Sequence, residues 1–165
     1  MRLRYQIIIF LLFFIILLTF VGSCRGLTLS QQEEAVYILK MGPITESLTD
    51  SINDFTQDFN CYKGGDTSLS EYKKELKKFI EKINSCYDEY KKIEAPEKLK
   101  AYNDVFSEAM EKYHKASIHF QDFIDTDDDD IIEMNEHAVY AFKEIAGVKR
   151  LMKKANEEYQ KYLGD

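Results

Sequence analysis

The stretch 68–90, SLSEYKKELKKFIEKINSCYDEY, contains the pattern that decides the fold. Its apolar side chains recur at steps of four and three residues, and they are Tyr72, Leu76, Phe79, Ile83, Cys86 and Tyr90. Side chains at this spacing lie on one face of an α-helix, so the segment predicts an amphipathic helix with one buried stripe. Ser68 and Glu71 fit a capping box that would start this helix.

Three more stripes of the same period flank this segment. One ends at the turn Lys63-Gly64-Gly65-Asp66, one opens at Ala95-Pro96-Glu97, and the last follows the acidic run 125–130. The largest members of the three stripes are Phe55, Phe59 and Tyr62, then Tyr102, Phe106, Tyr113 and Phe120, then Phe142 and Tyr159. No segment alternates usefully with the two-residue period of a strand. The expected fold class is therefore all-α, an up-and-down four-helix bundle with short polar connections.

The first of these helices carries a start signal and a break signal. Ser30 and Glu33 form another capping-box pattern. Further on, Gly42-Pro43 interrupts the helix, because proline lacks a backbone donor and its ring clashes with the preceding turn. We therefore expect a first helix that is kinked or split at this point, where a fifth, short element would fit.

The stretch 1–24, MRLRYQIIIFLLFFIILLTFVGSC, has the build of an export signal. Arg2 and Arg4 give it a positive start, and the apolar run 7–21 is broken only by Thr19. This run is short of the ~20 apolar residues that a spanning helix needs, which favours a cleaved signal. The alternative is an uncleaved N-terminal membrane anchor in which Cys24 has no role.

The end of this segment, Val21-Gly22-Ser23-Cys24, resembles the lipobox of bacterial-type lipoproteins, with valine in place of the commoner leucine. The resemblance implies a diacylglyceryl group on the Cys24 sulfur and a mature chain that starts there. It divides the chain into a signal peptide at 1–23, a lipidated tether at 24–29 and a helical bundle at 30–165. The bundle is then expected on the extracytoplasmic face of the cell membrane, since the positive N-terminus stays inside.

The charge of the exported part limits its partners. The chain carries a formal charge of −7, which becomes −9 without Arg2 and Arg4. A negative surface argues against nucleic acid and against electrostatic adhesion to anionic lipid, so attachment to the membrane is assigned to the acyl chains. We expect a non-enzymatic binding or interaction module of the cell envelope, which acts on a protein, wall or small-molecule partner.

Cys61 and Cys86 form an even pair if Cys24 is lipidated. Outside the cytoplasm an even pair suggests a disulfide. However, a rise of ~1.5 Å per residue puts Cys86 about 25 Å along its helix while Cys61 stays near the turn, and a disulfide needs Cα atoms within ~7 Å. Two interpretations of Cys61 and Cys86 remain open: they form a disulfide, or they are two small apolar residues of the core.

The acidic run resembles the twelve-residue EF-hand calcium loop. Asp125, Asp127, Asp129 and Glu136 stand at ligand positions 1, 3, 5 and 12 of that loop. Asp130 occupies the position where the loop needs glycine for a left-handed turn. This alternative function is a calcium-binding or calcium-stabilised helical domain. The simpler reading is that Thr126 caps the fourth helix and that aspartates fill its first turn.

Other residue pairs give weaker signals. Glu111 and His114 have the Glu-x-x-His spacing of di-iron bundles, but the second such pair is missing. His114 and His119 are five residues apart and point in different directions, so they cannot share a metal ion. Glu133 and His137 are expected to form a surface pair. No phosphate-binding loop, nucleophile elbow or zinc spacing occurs, so no catalytic residue and no further cofactor is predicted.

Overall fold

The computed structural model describes residues 28–164. Four α-helices fill most of this range: α1 Leu29–Gly64, α2 Leu69–Tyr90, α3 Lys100–Asp125 and α4 Ile131–Gly164, with a 3-10 turn at Glu97–Leu99. The described range contains no strand, so the prediction of an all-α four-helix bundle is confirmed. None of its helices combines the length and the apolar composition needed to cross a membrane. The chain divides into two units after Gln32, and the bundle is the second unit. The predicted signal peptide 1–23 and Cys24 lie outside the described residues.

Neighbouring helices run in opposite directions. Near the α1–α2 turn, Tyr62 stacks on Tyr72 with ring centroids 4.6 Å apart, whereas further along the Cys86 thiol donates to the Ser47 hydroxyl at 3.3 Å. Between α2 and α3, the contacts Lys73–Ile124 and Tyr87–Glu111 show that residue numbers rise along one helix as they fall along the other. The contacts Lys112–Glu144 and Tyr102–Tyr159 show the same for α3 and α4. The topology is therefore up-and-down, as the short connections predict.

The four apolar stripes meet in one core. Ile83, Leu99, Phe106 and Met110 are fully buried, as the stripes predict. Towards the end that holds the α1–α2 turn, the core becomes aromatic: Phe55 lies 4.5 Å from Phe79, 5.2 Å from Phe120 and 5.9 Å from Phe142, measured between ring centroids. Aromatic pairs at these separations add stability beyond the area they bury. Because this cluster takes one ring from each helix, it fixes the positions of all four helices at this end of the bundle.

Of the two forms expected for the first helix, kinked or split at Gly42-Pro43, the split is not realised, because α1 continues through Pro43 as one helix of 36 residues. Met41 and Ile44, on either side, are 4% and 2% exposed, so core packing holds both turns in place. Gly42 has no Cβ to meet the proline ring, which removes the usual obstacle to a helical residue before proline. The short fifth element lies instead at Glu97–Leu99.

The helix ends follow the predicted chemistry with shifts in position. The Ser68–Glu71 capping box forms as predicted, with each side chain bonded to the other's backbone N–H. At the start of α1 the capping pair is Thr28 and Gln31, two residues earlier than predicted. Pro96 precedes the 3-10 turn as its N-cap and is not the first residue of α3.

The predicted turn after α1 is a Schellman motif. The N–H of Gly65 donates to the carbonyl of Tyr62 at 3.0 Å, and the N–H of Asp66 donates to the carbonyl of Cys61 at 2.9 Å. Gly65 has φ +83°, the left-handed conformation that this motif requires and that glycine adopts without a steric penalty. The turn therefore stops α1 and directs the chain into the Ser68 cap of α2.

Candidate ligand-binding pocket

A pocket of about 470 Å³ lies at the end of the bundle that holds the α1–α2 turn and the α3–α4 loop. All four helices line it, through Phe59 and Tyr62 of α1, Tyr72 of α2, Phe123 of α3, and Met134 and Ala138 of α4. The volume falls within the range of small-molecule sites, and such sites are mostly apolar. The pocket therefore has the size and the chemistry of a binding site for an apolar ligand.

The stripe of α4 contains a small residue at the level of the pocket. Met134 and Phe142 are large, but Ala138 between them has only a methyl group. Protein interiors are close-packed, so a small residue opposite rings that are already held by their neighbours leaves a space. Phe59 and Phe142, with ring centroids 4.7 Å apart, form part of its wall and are themselves fixed by the aromatic cluster.

One edge of the pocket is formed by exposed apolar side chains of α4. Ile131 and Val139 line the pocket and are 66% and 64% exposed. Ile132 and Tyr140, next to them in sequence, are 77% and 52% exposed. We call Ile131 and Val139, the two that line the pocket, the apolar rim. Exposed apolar side chains at the edge of a pocket are typical of binding surfaces.

Lys73 holds the loop that closes the other side of the pocket. Its ammonium donates to the carbonyls of Ile124 and Thr126 at 3.1 and 3.0 Å and to the Asp128 carboxylate at 2.7 Å. The Lys73 side chain is 14% exposed and that of Asp128 is 66% exposed, so the two carbonyl contacts are partly buried while the carboxylate contact faces water. It places Asp128 in the pocket lining, with the Asn135 side chain as a second polar group.

The pocket lining offers hydrogen bonds but no reactive group. Burial, with the nearby Tyr62 and Asp58, raises the pKa of the Tyr72 phenol, so this hydroxyl stays neutral. Asp128 is engaged by Lys73, and Asn135 is a neutral amide. Such a lining can bind and orient a ligand. Among the described residues that line the pocket, none offers a thiol, an imidazole or an activated hydroxyl.

Buried Ser117 and half-buried His114 form a structural pair on α3. The Ser117 hydroxyl donates to the Asn84 side-chain oxygen and to the backbone carbonyl of His114, both at 2.8 Å. The His114 ring contacts the same Asn84 oxygen at 3.1 Å and stacks on Tyr87 with ring centroids 4.4 Å apart. Since Ser117 is 1% exposed, its hydroxyl cannot reach a substrate. Glu111, in turn, accepts a hydrogen bond from Tyr87 at 2.6 Å.

The structure does not assemble the predicted calcium ligands. No three of Asp125, Asp127, Asp129 and Glu136 bring carboxylate oxygens within 4.8 Å of one another. Asp125 is the last residue of α3 and accepts from the Gln121 amide, and Glu136 is exposed on α4. The EF-hand conformation is missing because no non-glycine residue in the described range has positive φ, which position 6 of that loop requires.

The capping of this loop also differs from the simpler prediction. Thr126 ends α3, with its N–H and its hydroxyl both donating to the Asp122 carbonyl. Asp130 starts α4, since its carboxylate accepts the N–H of Glu133 at 3.0 Å. The aspartate run therefore supplies the N-cap of α4 and one partner of Lys73.

Cys61 and Cys86 are free thiols, so the alternative of a disulfide between them is not realised. Cys86 is 4% exposed in the core, where its thiol donates to Ser47. Cys61 stays in the last turn of α1 and is half-buried. The separation expected from the helical rise accounts for this arrangement.

Three residues that the sequence did not connect come together beside the pocket wall. His119 and Asp122 on α3 and His137 on α4 each place a ligand atom within 4.8 Å of the other two. His137 also lies 3.7 Å from Glu133, so the predicted Glu133–His137 pair is confirmed. The three-residue spacing of His119 and Asp122 was a visible signal of a shared helix face. The position of His137 depends on the register between α3 and α4, which no sequence pattern gives.

Comparison of the chain with known protein families, with curated proteins and with solved structures finds no match in any of the three.

Proposed function

We propose that this chain is a membrane-anchored extracytoplasmic lipoprotein whose bundle is a non-enzymatic binding module of the cell envelope. The pocket between the α1–α2 turn and the α3–α4 loop is its binding site, and an apolar small molecule is its ligand. The anchor is supported by the signal-like segment 1–23 and by the lipobox resemblance ending at Cys24. The binding role is supported by the pocket.

One observation carries the binding role. A pocket of about 470 Å³ is lined by side chains from all four helices and opens beside the exposed apolar rim of α4. Burying apolar ligand surface in such a site contributes about 25 cal/mol per Å². Asp128 and Asn135 add a small number of polar contacts that would orient the ligand.

Titration of the 27–165 fragment with a neutral phenyl-naphthylamine dye tests this role. The dye fluoresces when it leaves water, and we expect saturable binding of one dye per chain. Val139→Asp puts a charge at the pocket edge and is expected to weaken binding at least tenfold, which corresponds to about 1.4 kcal/mol. Val139 is exposed, so its replacement should leave the fold intact.

Ile118→Asp is the matched control, because Ile118 is an exposed apolar residue of α3 outside the pocket lining. It should bind the dye as the wild-type fragment does. Ala138→Leu, which fills the pocket without adding charge, should also weaken binding. Equal dye affinity in the wild type, Val139→Asp and Ala138→Leu fragments would refute the binding role.

A further inference from the structure

The group formed by His119, Asp122 and His137 joins the two helices that make the pocket wall. His119 and Asp122 are three residues apart on α3, so their side chains lie on one face, and that face meets His137 of the antiparallel α4. All three side chains are half-buried. Among the described residues, this is the one group of three or more histidine, cysteine or acidic side chains whose ligand atoms converge in this way.

The spacing of the ligand atoms fits a first-row transition metal. Zinc–nitrogen and zinc–oxygen bonds of about 2.1 Å in tetrahedral geometry separate two ligand atoms by about 3.4 Å. Nδ1 of His137 lies 3.8 Å from the Asp122 carboxylate, and all three ligand atoms lie within 4.8 Å of one another, so side-chain adjustments of about 1 Å would bring them to this spacing. Three protein ligands with an open fourth position are a common zinc arrangement.

The type of ligand selects the metal. Two imidazole nitrogens and one carboxylate oxygen suit Zn²⁺, Co²⁺, Ni²⁺ or Cu²⁺, whereas Ca²⁺ and Mg²⁺ take sets made of oxygen atoms. The site therefore differs in chemistry as well as in position from the calcium loop that the aspartates of the α3–α4 connection resemble.

The surroundings of the group also suit a cation. Nδ1 of His137 faces the Asp122 carboxylate. Its other ring nitrogen, Nε2, lies 3.7 Å from Oε1 of Glu133. A carboxylate on the distal nitrogen of a metal-bound histidine fixes its tautomer and orientation. The Tyr140 ring, also on α4, lies 5.5 Å from the His119 ring of α3 and packs against one side of it.

We propose that His119, Asp122 and His137 form a binding site for one divalent transition-metal ion of the zinc class, which cross-links α3 to α4. Glu133 acts as the positioning residue for His137. The sequence neighbours of the three ligands line the pocket; they are Phe120, Phe123 and Ala138. The bound ion would therefore stiffen the part of the pocket wall that α3 and α4 form. The site does not depend on what the pocket binds.

The test is titration of the full chain with Zn²⁺ in non-ionic detergent, without a histidine tag, in competition with a chromophoric chelator. We expect one ion per chain with a Kd below about 10 µM. His119→Gln, Asp122→Asn and His137→Gln should each raise the Kd more than tenfold, since each removes one of three ligands. Glu133→Gln should raise it about tenfold through the loss of orientation.

His114→Gln is the matched control, because His114 is the remaining histidine of the chain and lies outside the group. It should bind Zn²⁺ as the wild type does, and so should Cys61→Ser, which removes the half-buried thiol. Circular dichroism of each variant without metal shows whether the bundle is intact. In folded variants, a Kd unchanged by His119→Gln and His137→Gln, or a wild-type Kd above about 100 µM, would overturn the site.

Discussion

Lys73 shows how a single side chain organises the pocket. Its ammonium contacts two carbonyls at the carboxyl end of α3 and one carboxylate of the following loop. The Ile124 carbonyl belongs to the last turn of α3, where the backbone has no intrahelical donors and the helix dipole is negative, and the Thr126 carbonyl follows directly after that turn. A cation at this point therefore satisfies acceptors that the fold leaves open, and it fastens the α3–α4 loop to α2.

We predict that Lys73→Met lowers the free energy of unfolding by about 1–3 kcal/mol. The methionine keeps most of the apolar stem but leaves shielded acceptors without their charged donor, and that loss falls in this range. Lys77→Met is the control, because Lys77 is an exposed lysine of the same helix and its loss should stay within about 0.5 kcal/mol. Urea denaturation of the 27–165 fragment measures both, and equal stability of the two variants would contradict the role of Lys73.

The sequence predicted residue roles where the partner is close in the chain. Ser68 and Glu71 are three residues apart, and their capping box formed as expected. The partners of Lys73 lie more than 50 residues away and two of them are backbone carbonyls, which carry no sequence signature. The same limit applies to His137, whose neighbours His119 and Asp122 belong to another helix.

At the scale of the element, α1 shows that tertiary packing can override a local break signal. Pro43 removes one hydrogen bond from the interior of the helix and is exposed, so it contributes little packing of its own. The buried neighbours Met41 and Ile44 keep the helix continuous. The Thr45 hydroxyl also donates to the Met41 carbonyl at 2.9 Å, within the turn that contains the proline.

We predict that Pro43→Ala stabilises the bundle by about 1–3 kcal/mol, because it restores a backbone donor and relieves the ring clash. The effect of Gly42→Ala should depend on residue 43. A Cβ at Gly42 meets no distant atom, so in the Pro43→Ala background it should add about 0.5–1 kcal/mol through helix propensity. With Pro43 present the same Cβ meets the proline ring, and the gain should vanish or reverse.

Thermal unfolding of the four chains in this double-mutant cycle measures the coupling. Gly147→Ala is unsuitable as a further control, since a Cβ there would lie 2.9 Å from the Lys112 side chain. An additive cycle, in which Gly42→Ala has the same effect in both backgrounds, would show that the steric account of Gly42 is wrong.

At the scale of the whole molecule, the apolar stripes were enough to predict the class and topology of the fold. Each stripe marks one buried face, and short connections force neighbouring helices to run in opposite directions. The pocket could not be predicted in the same way. Its volume depends on how Ala138 faces the rings of the other three helices, and stripes specify which residues are buried without specifying which ones meet.

At the same scale, the proposed membrane anchor would have to hold the bundle at the bilayer by itself, because a bundle of net negative charge has no electrostatic attraction to anionic lipid. A diacylglyceryl group provides two acyl chains, which is about the minimum for stable attachment. We predict that the native protein extracted from membranes begins at a lipid-modified Cys24, and that Cys24→Ser gives a full-length chain without lipid. Intact-mass spectrometry distinguishes these products. Cys61→Ser should be processed and lipidated like the wild type, and a native chain that retains residues 1–23 with an unmodified Cys24 would rule out the lipoprotein assignment.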